Sequence, residues 1–161
     1  GMKYMKSSEY ILERLDELDF DTVLEVGCGF GGLTEKLLGN KALSKYYACD
    51  TDEECIIELT KRLYSTYLQF SAHTVNYLKL HCNPLDLVIA SHVLEPYRLG
   101  DKKADLIKIL DKMCQDSKKY VVHTCVDDPV FMEYWLSKKE EWSVIGYNMD
   151  EIRKVIIAER I

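Results

Sequence analysis

Three features of the chain predict an α/β fold built on a doubly wound, mostly parallel sheet. Strand and helix signals alternate along most of its length, a glycine-rich turn joins the first strand to a helix, and two extended segments near the C-terminal end are spaced to pair as an antiparallel hairpin. The first element is an amphipathic helix over about 7–19, with Ile11, Leu12, Leu15 and Leu18 at helical spacing behind Ser7 and Ser8 as N-caps. Residues 22–26 then read as a short buried strand that runs into glycines, and 33–38 as a helix stopped by Gly39-Asn40. A strand at 46–49 leads to a helix over about 53–64, where Thr51 and Glu54 have capping-box spacing. A third strand is expected near 67–71 and a fourth, the most apolar, at 85–90. Ala104, Ile107, Leu110 and Met113 share one face of a helix near 101–114, which is followed by a strand at 120–124. Asp128-Pro129 supplies an N-cap and first helical position for 129–138. Segments 142–147 and 153–159 form the expected hairpin.

Composition narrows the function. At 161 residues, 47% hydrophobic and 30% charged, the chain suits one domain over 2–161 that folds on its own core, with Gly1 ahead of Met2 set aside as a remnant of tag removal. The formal net charge of −6 and the lack of a long Lys/Arg run weigh against stable nucleic-acid binding. No 18-residue apolar span suggests a membrane segment, and the six cysteines include no CxxC pair, so reduced thiols in the cytoplasm are expected. His73, His81, Cys82, His92 and His123 have no metal-ligand spacing, and no metal is expected.

Chemistry concentrates at the first turn. Gly27-Cys28-Gly29-Phe30-Gly31-Gly32 fits the generic G-x-G-x-x-G pattern, which dinucleotide and other nucleoside sites share. Glu25, two places before the first glycine, is the discriminating residue. A carboxylate at that strand end repels a pyrophosphate but favours a ligand carrying an ammonium and a sulfonium. Asp50 closes the second strand about 20 residues after the turn, the spacing at which an acid meets ribose hydroxyls; its alternative role is to cap the next helix, a task that Asp52 fits better. Cys28 has no partner base in the sequence and reads as a small residue lining the turn rather than as a nucleophile.

Residues 24–31, Leu-Glu-Val-Gly-Cys-Gly-Phe-Gly, resemble the first motif of the class I S-adenosylmethionine-dependent methyltransferases, Cys49-Asp50 resembles the second, and 85–95 is similar to the family's fourth-strand segment. The resemblance covers roughly 20–160. It implies a seven-stranded sheet with a C-terminal antiparallel hairpin and S-adenosylmethionine across the carboxyl ends of the first strands, with S-adenosylhomocysteine as product. The cofactor-binding positions it implies are Glu25, Gly27, Cys28, Gly29, Gly31, Asp50, Thr51, Ser71, Ala72 and Ser91. Where the family often carries an acid after its third strand, this chain reads Phe70-Ser71-Ala72-His73-Thr74, so Ser71 or a backbone amide takes that place.

Methyl transfer requires a positioned nucleophile and, for some acceptors, a base. Ser91, His92, Glu95, Tyr97 and His123 fall at the carboxyl ends of the fourth and fifth strands. His92 is the candidate general base, or else packs at the start of a helical turn, and Tyr97 is the candidate wall of the methyl-donor pocket, or else an ordinary loop aromatic. The expected function is methyl transfer to an unidentified acceptor, with a second subunit in a homodimer as one way to complete the site. The alternative is a non-catalytic, S-adenosylmethionine-binding regulatory module. An NAD-dependent oxidoreductase is disfavoured by Glu25.

Overall fold

The computed structural model describes residues 5–95 and 103–161. Its centre is a seven-stranded sheet in the order β3-β2-β1-β4-β5-β7-β6, formed by β1 (Thr22–Val26), β2 (Lys45–Asp50), β3 (Phe70–Thr74), β4 (Leu85–Ala90), β5 (Ser117–Cys125), β6 (Trp142–Met149) and β7 (Lys154–Arg160). The first five strands are parallel; β7 pairs antiparallel with both β5 and β6. The doubly wound sheet and its reversed C-terminal hairpin are therefore as the sequence predicts. Strand order reverses between β1 and β4, and a crevice opens above the carboxyl ends at such a switch point.

Apolar side chains leave the sheet on both faces because parallel strands are covered twice. On one face Val23, Tyr46, Leu87 and Val122 meet α1 (Ser7–Asp16), α2 (Gly32–Asn40) and α3 (Glu53–Leu63). On the other, Leu24, Val88 and Val121 meet α4 (Lys103–Asp116), α5 (Pro129–Ser137) and a short 3-10 turn at Tyr77–Lys79. Trp135 and Trp142 pack edge-on at 5.9 Å and close the far end of this second layer.

Two boundaries differ from expectation for identifiable reasons. Helix α1 ends at Asp16, and neither Ser7 nor Ser8 caps it: Lys6 holds the cap position, while the Ser7 amide and hydroxyl both donate to Asp150 Oδ2. A tertiary partner has taken the serine that local propensity assigned to the cap. Strand β3 runs to Thr74 rather than to about 71, because Asp50 and Thr74 are register partners and β2 carries its neighbour that far. By contrast, Asp52 caps α3 through the Glu54 and Cys55 amides, and Asp128 caps α5 through the Val130 amide, with Pro129 in the first turn.

Candidate active site at the carboxyl ends of the first strands

The loop between β1 and α2 is shaped by its own backbone. Gly27, Gly29 and Gly31 all take positive φ, at 70°, 55° and 85°, conformations that side chains other than glycine rarely tolerate. Gly27 is also closed in space, since a Cβ there would overlap Val93 Cγ2. The amides of Gly27, Cys28, Gly29 and Gly31 have partners within the protein. Gly27 N and Cys28 N donate to the Cys49 carbonyl at 2.8 and 3.1 Å, Gly31 N donates to Cys28 O at 3.0 Å, and Gly29 N donates to Asp50 Oδ2 at 2.8 Å. A phosphate-binding loop needs such amides free to meet the anion. Here the Gly27, Cys28 and Gly29 amides are spent on β2 and the Gly31 amide on the loop itself.

Beside the loop lies a cleft of about 550 Å³ lined by Val26, Gly27, Cys49, Asp50, Thr51 and Val75 from the sheet side, continued by Asn76, Tyr77 and Leu78 and closed by Val93, Asp105 and Ile109. Its only charged lining residues among those described are Asp50 and Asp105, so its field favours a cation. Asp50 Oδ1 accepts from its Asp52 amide at 2.9 Å. Tyr77 is held from behind: its hydroxyl donates to Asp116 at 2.7 Å, Lys112 Nζ donates to the same oxygen at 2.7 Å, and the ammonium stands 4.6 Å from the ring centroid.

The residues expected from sequence divide sharply. Gly27, Asp50 and Thr51 line the cleft, and Gly29 is bound to Asp50 at its edge. Glu25 is not at the surface of the cleft. Its carboxylate is 2% exposed beneath α2, where Thr34 Oγ1 and Tyr46 OH donate to Oε1 at 2.5 and 2.6 Å. Burial outweighs these two hydrogen bonds and pushes its pKa up to about 7. Glu25 thus underpins the turn rather than facing a ligand. Cys28 is buried, with its thiol pKa pushed above the ordinary range by burial and by Glu25, an environment that disfavours the thiolate. Gly31 opens α2 as a left-handed N-cap packed on Leu59.

Ser71 and Ala72 lie in the body of β3, so the rim position after the third strand falls to Val75 and Asn76, neither of which the sequence reading named. Asn76 carries a signal that could have been used: its Oδ1 accepts from the Leu78 amide and caps the short 3-10 turn at Tyr77–Lys79, a position that asparagine favours. Ser91 follows β4 without lining the cleft, whereas Val93 does. His92 is half exposed, with φ of 66°, its amide on Thr124 Oγ1 at 2.8 Å and its Nδ1 3.2 Å from Glu95 Oε2. Tyr97 lies outside the described residues. His123 is fully buried; Trp135 Nε1 donates to its Nε2 at 3.0 Å, and burial drives its pKa down to about 4. It is a neutral core residue. Among the described residues, no three His, Cys, Asp or Glu side chains are grouped to hold a metal ion.

The fold and its cleft define a class I methyltransferase architecture: a nucleoside-type crevice at the switch point, an acid at the end of β2, and a reversed last strand. Residues 24–116 match the family model described as a methyltransferase domain, and the chain belongs to that family. Methyl transfer from S-adenosylmethionine is its activity. The fold is shared with magnesium protoporphyrin IX methyltransferase from Synechocystis PCC 6803 with bound SAM, at TM-score 0.75 and 15% identity over 100% of this chain and 87% of that one. It is similar also to the N-methyltransferase NodS from Bradyrhizobium japonicum WM9 in complex with S-adenosyl-L-homocysteine, at TM-score 0.73 and 17% identity over 93% and 84%. An rRNA methylase from Streptococcus thermophilus matches at TM-score 0.74 and 15% identity over 99% of both chains. No curated protein matches the sequence.

Proposed function

We propose that S-adenosylmethionine occupies the cleft beside the glycine loop, with Gly27 and Gly29 under its amino-acid end, Asp50 and Thr51 at the ribose, and Val75, Asn76 and Leu78 around the base. The observation that carries this reading is electrostatic. The described lining holds two carboxylates and no cation, and the Gly27, Cys28, Gly29 and Gly31 amides are already hydrogen-bonded, so the site suits a sulfonium and repels a pyrophosphate. When bound, the cofactor supplies a methyl group activated by positive sulfur.

The chain's own residues then orient and exclude. Val93 and Ile109 give the cleft an apolar wall, and Asp105 adds a second negative charge to its lining. His92, one residue before Val93, is the side chain that receives the acceptor's proton. Tyr97 retains the role of pocket wall as an expectation of sequence. The acceptor is read as a small molecule or a protein group. A net charge of −6 disfavours holding a long nucleic acid by its phosphates. A single methyltransferase domain over 2–161 and a cytoplasmic setting complete the proposal, the latter supported by six free cysteines, five of them buried.

Titration calorimetry with S-adenosylmethionine, S-adenosylhomocysteine and NAD tests the cofactor assignment. Binding of both sulfur ligands and not of NAD is expected; NAD binding without either sulfur ligand would overturn it. Transfer of labelled methyl from the cofactor into a cell extract, followed by identification of the labelled product, names the acceptor.

A further inference from the structure

His92, Glu95 and Arg153 form a cluster that cofactor binding does not use. His92 and Glu95 belong to the segment after β4, while Arg153 directly precedes β7, so two separate elements meet at the carboxyl end of the sheet. The Glu95 side chain is only 19% exposed, and its two oxygens are divided between partners: Oε2 faces His92 Nδ1 at 3.2 Å, and Oε1 is 2.8 Å from Arg153 Nε. That second contact is an ion pair whose N–H axis is misaligned for a hydrogen bond, so the guanidinium holds the carboxylate by charge.

We propose that Glu95 and Arg153 are positioning residues that hold His92 in the tautomer with Nδ1 protonated and Nε2 open, and that the methyl acceptor carries its nucleophile as N–H or O–H. This rests on the cofactor reading above for the identity of the reaction, but the tautomer does not depend on it. A carboxylate only accepts hydrogen bonds, so the proton shared with Glu95 belongs to Nδ1 and the free lone pair to Nε2. An exposed His–Glu pair three residues apart would ordinarily contribute little. Here the acid is largely buried, tied to a second element, and set beside a backbone that is itself constrained.

That constraint is the independent observation. His92 has φ of 66°, a region uncommon for residues other than glycine, and its amide is pinned by the buried Thr124 hydroxyl on β5. Strain of this kind persists only where the surroundings impose it, and it clusters at functional sites. The next residue, Val93, packs against Gly27 and lines the cleft, which fixes His92 relative to the glycine loop. Arg153 is anchored too. Its amide donates to Asp150 Oδ1 at 2.7 Å, and the other Asp150 oxygen accepts from Ser7.

As a bond forms from the N–H or O–H nucleophile to the methyl carbon and the sulfur–carbon bond of the sulfonium breaks, its electron pair leaving with sulfur as a neutral thioether, the nucleophile's proton would pass to Nε2; the resulting imidazolium faces the Glu95 carboxylate and then returns the proton to water. A thiol ionises close to neutral pH unaided and gains less from such a base.

Nitrogen-15 NMR of the full chain reads the tautomer directly, with the His92 signal assigned by its loss in His92→Gln. The wild type is expected to show a pyrrole-type Nδ1 and a pyridine-type Nε2. Glu95→Gln, whose amide can donate to Nδ1, moves the proton to Nε2, and Arg153→Gln shifts the population the same way and serves if the first variant does not fold. A wild type protonated at Nε2, or signals unchanged in a folded variant, would overturn the relay. Calorimetry should find S-adenosylmethionine affinity unchanged in Glu95→Gln while labelled methyl transfer into an extract falls about 10- to 100-fold. A labelled thioether product overturns the acceptor class, and failure of the wild type to bind S-adenosylmethionine overturns the cofactor reading while the NMR still decides the relay.

Discussion

The Asp50 carboxylate accepts a hydrogen bond from the Gly29 amide at 2.8 Å, so the acid that ends β2 holds in place the loop that ends β1. One side chain therefore shapes the site and charges it. Asp50→Ala removes the negative charge nearest the loop and leaves the Gly29 amide without a partner. We expect S-adenosylmethionine affinity to fall by at least about 10-fold, in line with the 1.5–3 kcal/mol of a hydrogen bond to a charged group. Calorimetry at constant ionic strength measures it, and an unchanged affinity in a folded variant would remove Asp50 from the site.

Gly27 makes a sharper structural prediction because two costs coincide there. Alanine must adopt φ of 70° and its Cβ must displace Val93 Cγ2. The first cost is about 1–2 kcal/mol and remains whatever the neighbour; the second is relieved by shortening Val93. Gly27→Ala should destabilise the protein in urea unfolding by more than the backbone term alone, and adding Val93→Ala should recover part of the loss. Strict additivity of the two substitutions would show that Gly27 is required for its conformation only.

How far the sequence could be read depended on whether a residue's partner was close along the chain. The strand-glycine-helix unit, the Asp52 and Asp128 caps and the C-terminal hairpin are local, and each was legible. Ser7 was misassigned as a cap because its partner, Asp150, is nearly the whole chain away. Glu25 stands out in the first motif as a carboxylate in an apolar strand, yet its pairing with Thr34 and Tyr46 depends on packing that spacing does not encode. The rim after β3 was missed for a third reason. An edge strand with Ser71, His73 and Thr74 has little apolar alternation to mark its end, and only the register with β2 locates Val75 and Asn76.

The Tyr77–Asp116–Lys112 cluster links the wall of the cleft to α4. Removing its centre leaves a mostly buried ammonium and a buried phenol without an acceptor. Asp116→Ala should therefore cost about 3 kcal/mol or more, whereas Tyr77→Phe, which gives up one hydrogen bond and keeps the ring, should cost about 1 kcal/mol. Urea unfolding of the two variants tests the order. Equal costs would mean that the Lys112–Asp116 pair contributes nothing beyond its bond to Tyr77.

Glu25 and His123 give the stability of the domain opposing pH slopes. Glu25 has a native pKa of about 7 against an ordinary value of 4.5, so the folded state binds the extra proton between these limits and stability falls as pH rises through them. His123 has a native pKa of about 4 against 6.5, so the unfolded state binds the extra proton and stability rises with pH over that range. Each amounts to as much as about 3 kcal/mol when fully developed. Between pH 4.5 and 6.5 the two nearly cancel. Glu25→Gln removes the falling slope while keeping an oxygen for Thr34 and Tyr46. Its stability relative to wild type should increase steadily from pH 4.5 to 7 and level off above, by up to about 3 kcal/mol. Urea midpoints of both proteins across that range provide the measurement. A difference that does not vary with pH would show that Glu25 has the same pKa in the folded and unfolded chain, and that Thr34 and Tyr46 compensate its burial in full.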